Sequence, residues 1–198
     1  MNIQFLERLS NADGIASNEQ EVRDVLVTEL KEYADEISTD NLGSIIFKKG
    51  NRGPKIMLCA HIDEVGFIVR SVSEQGQVML MSVGGVKPLA QFMQRVRITT
   101  EDGKKIHGII QAAYENNAAT KVYVDLGAET AQEVYDLGIQ VGDMVTYTTE
   151  FEHFSIQDVV AGKAFDDRLG CFIMGEVLKR LQTMDHPNTV YMVGTSSE

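Results

Sequence analysis

The chain has 198 residues, 43% of them hydrophobic and 24% charged, an ordinary globular composition with length enough for one domain or two. Its formal net charge of −11 argues against nucleic acid and anionic membranes as partners, since both need basic patches. The apolar runs fall far short of a membrane span, and Glu7 and Arg8 interrupt the place where a signal peptide carries its apolar region, so the expected location is cytoplasmic.

In chain order, residues 2–9 predict a short helix, followed by a turn at Asn11-Ala12-Asp13-Gly14. Ser17-Asn18-Glu19-Gln20 has the form of a capping box, and the helix it opens carries Val22, Val25, Leu26, Leu30 and Tyr33 on one stripe. A turn at Asp40-Asn41-Leu42-Gly43 precedes a strand over residues 44–48, and Asn51-Arg52-Gly53-Pro54 turns the chain into residues 55–70. There Ile56 to Ala60 form an unbroken apolar run, the pattern of a strand covered on both faces. It stops at His61, Ile62, Asp63 and Glu64. On an extended chain His61 and Asp63 share a side, so an imidazole nitrogen for a metal ion has a carboxylate behind it to orient the site. A strand end that simply meets solvent is the commoner origin of so short a motif.

From about residue 71 to 150 the texture changes to short strands broken by turn signals. Residues 96–100 and 105–110 flank an Asp-Gly turn, a strong hairpin signal, and residues 130–137 are the one helical piece. Another turn is expected at Glu115-Asn116-Asn117, and His107 and Glu115 read as surface residues. This spacing predicts a small barrel inserted into an α/β layer. The α/β character returns near Val159. Gly162-Lys163-Ala164-Phe165-Asp166-Asp167-Arg168 opens a helix whose two aspartates stand where carboxylates commonly serve as caps. A buried strand over residues 189–194 then leads to Thr195-Ser196-Ser197-Glu198. Cys59 and Cys171 both lie in apolar segments and read as buried free thiols, so a metal here takes His and carboxylate ligands.

Three segments together resemble the M42 family of metallo-aminopeptidases, the glutamyl and tetrahedral aminopeptidase group: A-H-I-D-E-V-G-F at 60–67, G-K-A-F-D-D-R at 162–168 and T-S-S-E at 195–198. The middle of the chain is similar to the family's inserted domain, through M-S-V-G-G-V at 81–86, D-G-K-K-I-H-G-I-I at 102–110 and V-D-L-G-A-E-T-A-Q-E-V followed by G-I-Q-V-G-D within 124–143. The likeness runs over essentially the whole chain in the right order. It implies a mixed sheet flanked by helices, a zinc-peptidase-like catalytic domain over residues 1–70 and 151–198 that is incomplete at its C-terminus, with an inserted all-β barrel-like domain over residues 71–150.

The function this resemblance implies is a metal-dependent aminopeptidase that releases N-terminal residues from short peptides with a water activated by two divalent ions, zinc or cobalt. His61 matches a ligand of one ion and Asp166 the carboxylate that bridges both. Asp63 matches the aspartate supporting the metal-bound histidine, Asp167 falls just behind the ligands, and Glu198 matches the general base. Family members form dodecamers, so a homo-oligomer is expected. They are also much longer: a second Glu, an Asp and a His of their site match nothing here, and Thr-Ser-Ser-Glu stands for the more usual Thr-Val-Gln-Glu. The expectation for the 198-residue chain is therefore an inactive, truncated form with a fraying Glu198. Two other readings stay open. An endoglucanase needs two carboxylates flanking a sugar bond, a pair for which Asp63 and Asp166 can be cast, although the lack of Trp for sugar stacking disfavours it. A non-catalytic peptide-binding or assembly module is the other.

Overall fold

The structure, a computed structural model, describes residues 2–115 and 118–198, so Asn116 and Asn117 of the expected turn lie outside the described residues. The chain runs α1 (Ile3–Asn11), α2 (Gln20–Leu30), β1 (Glu36–Thr39), β2 (Ile45–Lys49), β3 (Lys55–His61), β4 (Gly66–Val72), β5 (Val78–Val83) and a 3-10 turn at Pro88–Ala90. It continues with β6 (Arg95–Thr99), β7 (Lys105–Glu115), β8 (Ala118–Asp125), α3 (Ala131–Asp136), β9 (Met144–Tyr147), β10 (Glu152–His153), β11 (Val160–Ala161), α4 (Phe165–Leu181) and β12 (Thr189–Thr195). Two compact units result, one from Met1–Glu64 with Glu150–Glu198, the other from Val65–Thr149.

The first unit is a mixed α/β layer with strand order β1-β2-β12-β3. β12 runs antiparallel to β2 and parallel to β3, with Thr189 opposite Lys55 and Thr195 opposite His61. Helices α1, α2 and α4 supply Phe5, Leu9, Val22, Leu26, Leu30, Phe172 and Leu178 to a core shared with Ile45, Phe47, Ala60, Ile62 and Met192. The helical spacing of Val22, Leu26 and Leu30 is what presents one apolar stripe of α2 to that core. Fully burying side chains of this size stabilises by about 1.5–3 kcal/mol each, before the entropy of ordering them is set against it.

Two details differ from the sequence reading. The capping box does not form: Ser17 has φ of 69°, and α2 starts from Glu19, whose side chain makes no capping hydrogen bond to the helix. β3 is not covered on both faces but is the edge of the sheet, with Ile56, Met57 and Cys59 exposed, because no strand pairs with its far side among the described residues. A continuous apolar run looks the same whether the strand is central or an edge with one face open.

The second unit is a closed barrel of order β4-β5-β8-β7-β6-β9. Closure removes every free edge, and alternate residues point inward. Phe67, Val69, Val78, Val96, Ile98, Ile110, Val124 and Val145 fill the interior, joined by Val134 of α3 and by Ile139. β6 and β7 form the expected hairpin, Thr99 opposite Lys105, with Gly103 at φ of +80° in its loop, a conformation that L side chains resist. His107 and Glu115 are exposed, as expected. The barrel begins at Val65 rather than near residue 71, since Gly66–Val72 pairs with β5 and β9. Among the described residues no helix is long and apolar enough to cross a membrane.

Cys171 is buried within α4, and burial pushes its thiol up to about 12, whereas Cys59 is open on the edge strand. Ellman's reagent is expected to titrate Cys59 in the folded chain and Cys171 only after denaturation; rapid modification of both in native buffer would show the α4 packing to be wrong. Each unit carries its own apolar core, so replacing Val65–Thr149 by a short Gly-Ser linker should leave an α/β remnant with a cooperative urea transition. A remnant with no such transition would mean that the flanking segments do not make a self-sufficient core.

Candidate functional site

The parallel pairing of β3 with β12 places the polar segments that leave both strands side by side. Their register ends with Thr195 opposite His61, and the amide of Ile62 continues the ladder by donating to the Thr195 carbonyl at 2.8 Å. The C-terminal ends of parallel strands in an open α/β sheet are the usual place for a ligand site. Here the N-terminal end of α4 reaches the same spot.

At His61 each ring nitrogen has a defined partner. Nδ1 donates to the Asp63 carbonyl oxygen at 3.1 Å, since a carbonyl only accepts. Nε2 lies 3.0 Å from Asp166 Oδ1 and 3.4 Å from Glu198 Oε2. The Asp63 carboxylate is 3.7 Å from Nδ1 and accepts the Glu198 amide at 3.3 Å. Asp63 thus steadies the imidazole through its carbonyl and the Glu198 segment through its carboxylate. Burial pulls the His61 pKa down, but the hydrogen bonds to Asp166 and the Asp63 carbonyl, with the charges of Glu198 and Asp63, outweigh it and leave the pKa above its ordinary value.

Asp166 and Asp167 divide two roles. Both have non-helical φ and ψ, and Ala164 before them is left-handed with φ of 57°; the Asp166–Asp167 peptide is cis. Asp167 Oδ1 accepts the Gly170 amide at 3.0 Å and so caps the regular part of α4. The Asp166 side chain is 97% exposed and turned to His61 instead.

All four residues singled out in the sequence, His61, Asp63, Asp166 and Glu198, therefore meet in one place. A neutral His61 with its proton fixed on Nδ1 turns the Nε2 lone pair toward two carboxylates, an arrangement that calls for a proton or a cation. Imidazole nitrogen and carboxylate oxygen are the donors that zinc-like divalent ions take, so the chemistry of the set fits such an ion. The contacts are direct, however, and no three His, Cys, Asp or Glu side chains are grouped as metal ligands among the described residues.

What sequence reasoning missed lies just behind this site. Lys163 and Arg168 are buried with Asp13 and Glu64. Lys163 Nζ donates to Asp13 Oδ1 at 2.7 Å, to Glu64 Oε1 at 2.5 Å and to the Ala12 carbonyl at 3.2 Å. Arg168 donates to the carbonyls of Leu9 and Ala12 at 2.6 and 3.1 Å, satisfying the C-terminal end of α1, and lies 3.8 Å from Glu64. Glu64 also accepts the Gly14 amide at 3.3 Å, while its own amide donates to Gly14 O at 2.8 Å. Burial raises the Glu64 pKa, and the charges of Lys163 and Arg168 oppose that shift. Gly14 has no room to be anything else: a Cβ would come within 2.9 Å of Val22 Cγ2 and 3.2 Å of Glu19 Cα. The signal for this network was two cations and two carboxylates at the ends of apolar segments, but no spacing rule says which of them meet.

A further missed residue, Glu19, is 1% exposed. Its Oε1 accepts from Ser196 Oγ at 2.5 Å, from the Ser197 amide at 3.2 Å and from the Ser17 amide at 2.9 Å, with Arg23 paired to Oε2 at 3.2 Å. The segment leading to Glu198 is therefore tied down, against the expectation that it frays.

This mixed layer with its inserted barrel is the architecture of solved aminopeptidases of the tetrahedral group. It superposes on the TET aminopeptidase from the marine sediment archaeon Thaumarchaeota archaeon SCGC AB-539-E09 with a TM-score of 0.93 and 35% identity, over 99% of this chain and 59% of that one. A structure from Thermotoga maritima described as an endoglucanase matches with a TM-score of 0.83 and 29% identity, over 98% of this chain and 59% of the other. Among curated proteins, FrvX of Escherichia coli strain K12, provisionally described as an aminopeptidase, is 36% identical over all of this chain and 58% of its own length. A profile of the M42 glutamyl aminopeptidase family matches residues 43–198. The chain belongs to that family. It spans about three-fifths of the length of these relatives.

Lys163→Met should cost about 3–5 kcal/mol, because it leaves two buried carboxylates facing one cation. Urea unfolding measures this; a loss under about 1 kcal/mol would mean that the carboxylates find water or a proton instead.

Proposed function

We propose that this chain carries part of the catalytic site of a metal-dependent aminopeptidase acting on the N-termini of short peptides, with residues 1–64 and 150–198 as the catalytic portion and the barrel as the insert. The observation that carries the reading is the convergence of Asp166 and Glu198 on His61 Nε2 while Nδ1 is committed to the Asp63 carbonyl. Aminopeptidases of this family are metal-dependent in general. His61 Nε2 and Asp166 are the donors that would hold a divalent ion, zinc or cobalt. When bound, two such ions supply Lewis acidity, polarising a peptide carbonyl and making a water acidic near neutral pH.

The protein's own groups do the rest. Asp63 fixes the ring so that Nε2 faces outward, and it holds the Glu198 backbone at 3.3 Å. Glu198, with its side chain 73% exposed, accepts a proton from the attacking water and returns it to the departing amine. Asp166 supplies a second negative charge close to the same imidazole nitrogen. With so few direct donors, ions are held weakly and turnover by these 198 residues alone is at background. A homo-oligomeric state belongs to the same reading, consistent with exposed Leu89, Phe92 and Met93 on the barrel.

An endoglucanase reading has the Thermotoga maritima neighbour in its favour. In a glycosidase, though, two carboxyl groups flank the scissile bond, and here the His61 ring stands between Asp63, 3.7 Å from Nδ1, and Asp166, 3.0 Å from Nε2.

Added Zn2+ or Co2+ is expected to bind the purified chain weakly and reversibly, binding is lost in His61→Ala, and any release of N-terminal residues requires added metal and stops with chelator. Release undiminished by chelator, or Zn2+ binding unchanged in His61→Ala, overturns the proposal.

A further inference from the structure

The site and the buried ion pair behind it form a closed frame. One side is the four-residue run from His61 to Glu64, the other the four-residue run from Lys163 to Asp166. At one end the two runs meet through His61 Nε2 and Asp166 Oδ1 at 3.0 Å, at the other through Glu64 Oε1 and Lys163 Nζ at 2.5 Å. Little in the frame is free to adjust. Ile62 is fully buried, Ala164 is held in a left-handed conformation, and Glu64 is tied to the Gly14 backbone through both its amide and its carboxylate. Lys163 is anchored independently by Asp13 and the Ala12 carbonyl.

We infer that Glu64, through its pairing with Lys163, is a positioning residue that sets the separation of His61 and Asp166, and with it the fit of that pair to a divalent ion. The inference rests on the proposed metal-binding role of His61 and Asp166, and Glu64 itself touches neither donor. A side chain that only stabilises the fold would lower stability without moving the imidazole. A side chain that holds the frame moves the imidazole even where the fold survives.

The test compares the unaltered chain with Glu64→Gln, which keeps the shape and the Gly14 contact but loses the charge, and with Leu30→Ala, which weakens the core where α2 packs against Gly175 of α4. Three quantities are read: urea stability, Zn2+ affinity by competition with a chromophoric chelator, and the ring signals of His61 in long-range 1H–15N spectra. Glu64→Gln should weaken Zn2+ binding about tenfold or more, the range typical of groups that support a metal ligand, and shift the His61 ring signals. Leu30→Ala should lose stability with both other readings unchanged. Glu64→Gln with native Zn2+ affinity and native ring signals, whatever its stability, overturns the inference. If the unaltered chain takes up no Zn2+, the metal reading fails by itself, and the ring signals still decide whether Glu64 holds the imidazole. Should Glu64→Gln not fold, Lys163→Arg, which keeps the charge but relocates the donor, is judged by the same readings.

Discussion

The buried pairing of Lys163 with Asp13 and Glu64 is the constraint on which the rest of the catalytic layer depends. Bringing four charged groups out of water is expensive, and even a well-paired quartet is often no more stabilising than apolar residues of the same shape. What the arrangement supplies is location. Asp13 and Gly14 belong to the turn between α1 and α2, Glu64 follows β3, and Lys163 and Arg168 bracket the start of α4. Three segments distant in sequence are thus fixed at one point, and two of them, around Glu64 and around Lys163, adjoin residues of the candidate site. Apolar packing alone would hold these segments together but would not fix them in register to a fraction of an ångström.

The site in front of that quartet is open by comparison, and the contrast follows from what each part has to do. Asp166 and Glu198 are exposed, and His61 is partly so, because reacting groups need access. Their placement comes from backbone segments that are themselves held: the β3–β12 ladder carries His61 opposite Thr195, Glu19 ties down Ser196 and Ser197, and Asp167 caps α4 so that Asp166 does not have to. A site built from few residues depends on backbone segments held this firmly.

The fold was legible in the sequence wherever a local rule applied. Period-3.6 spacing marked α2, the Asp-Gly turn marked the β6–β7 hairpin, and the switch to short strands marked the barrel. His61 and Asp63 were legible as a His-x-Asp motif at a predicted strand end, whereas Asp166 and Glu198 were legible only through the resemblance of their segments to the M42 family. What escaped was set by partners far away in sequence. Glu19 reads as the interior of a capping box until Ser196 and Ser197 arrive beside it, and its carboxylate then serves them in place of its own helix. Lys163, Arg168 and Asp13 look like ordinary loop charges until the topology closes on them. The exposure of β3 was hidden for a related reason, since an apolar run does not record whether another strand lies alongside it.

That exposed edge also bears on how the site works as a unit. β3 delivers His61, yet among the described residues only β12 pairs with it, on one side, and Ile56, Met57 and Cys59 are exposed. A strand held along a single edge has fewer hydrogen bonds to resist sliding or fraying, so its register must be fixed at its ends. At the N-terminal end the Thr189 amide donates to the Pro54 carbonyl at 3.2 Å and its hydroxyl to the Arg52 carbonyl at 2.9 Å. At the C-terminal end Ile62 donates to Thr195, and Glu64 to Gly14. The second of these clamps is the charged quartet seen from the strand. The groups that position the chemistry are therefore also those that keep an exposed strand in register, which is why so much charge is concentrated behind a site that itself uses so little.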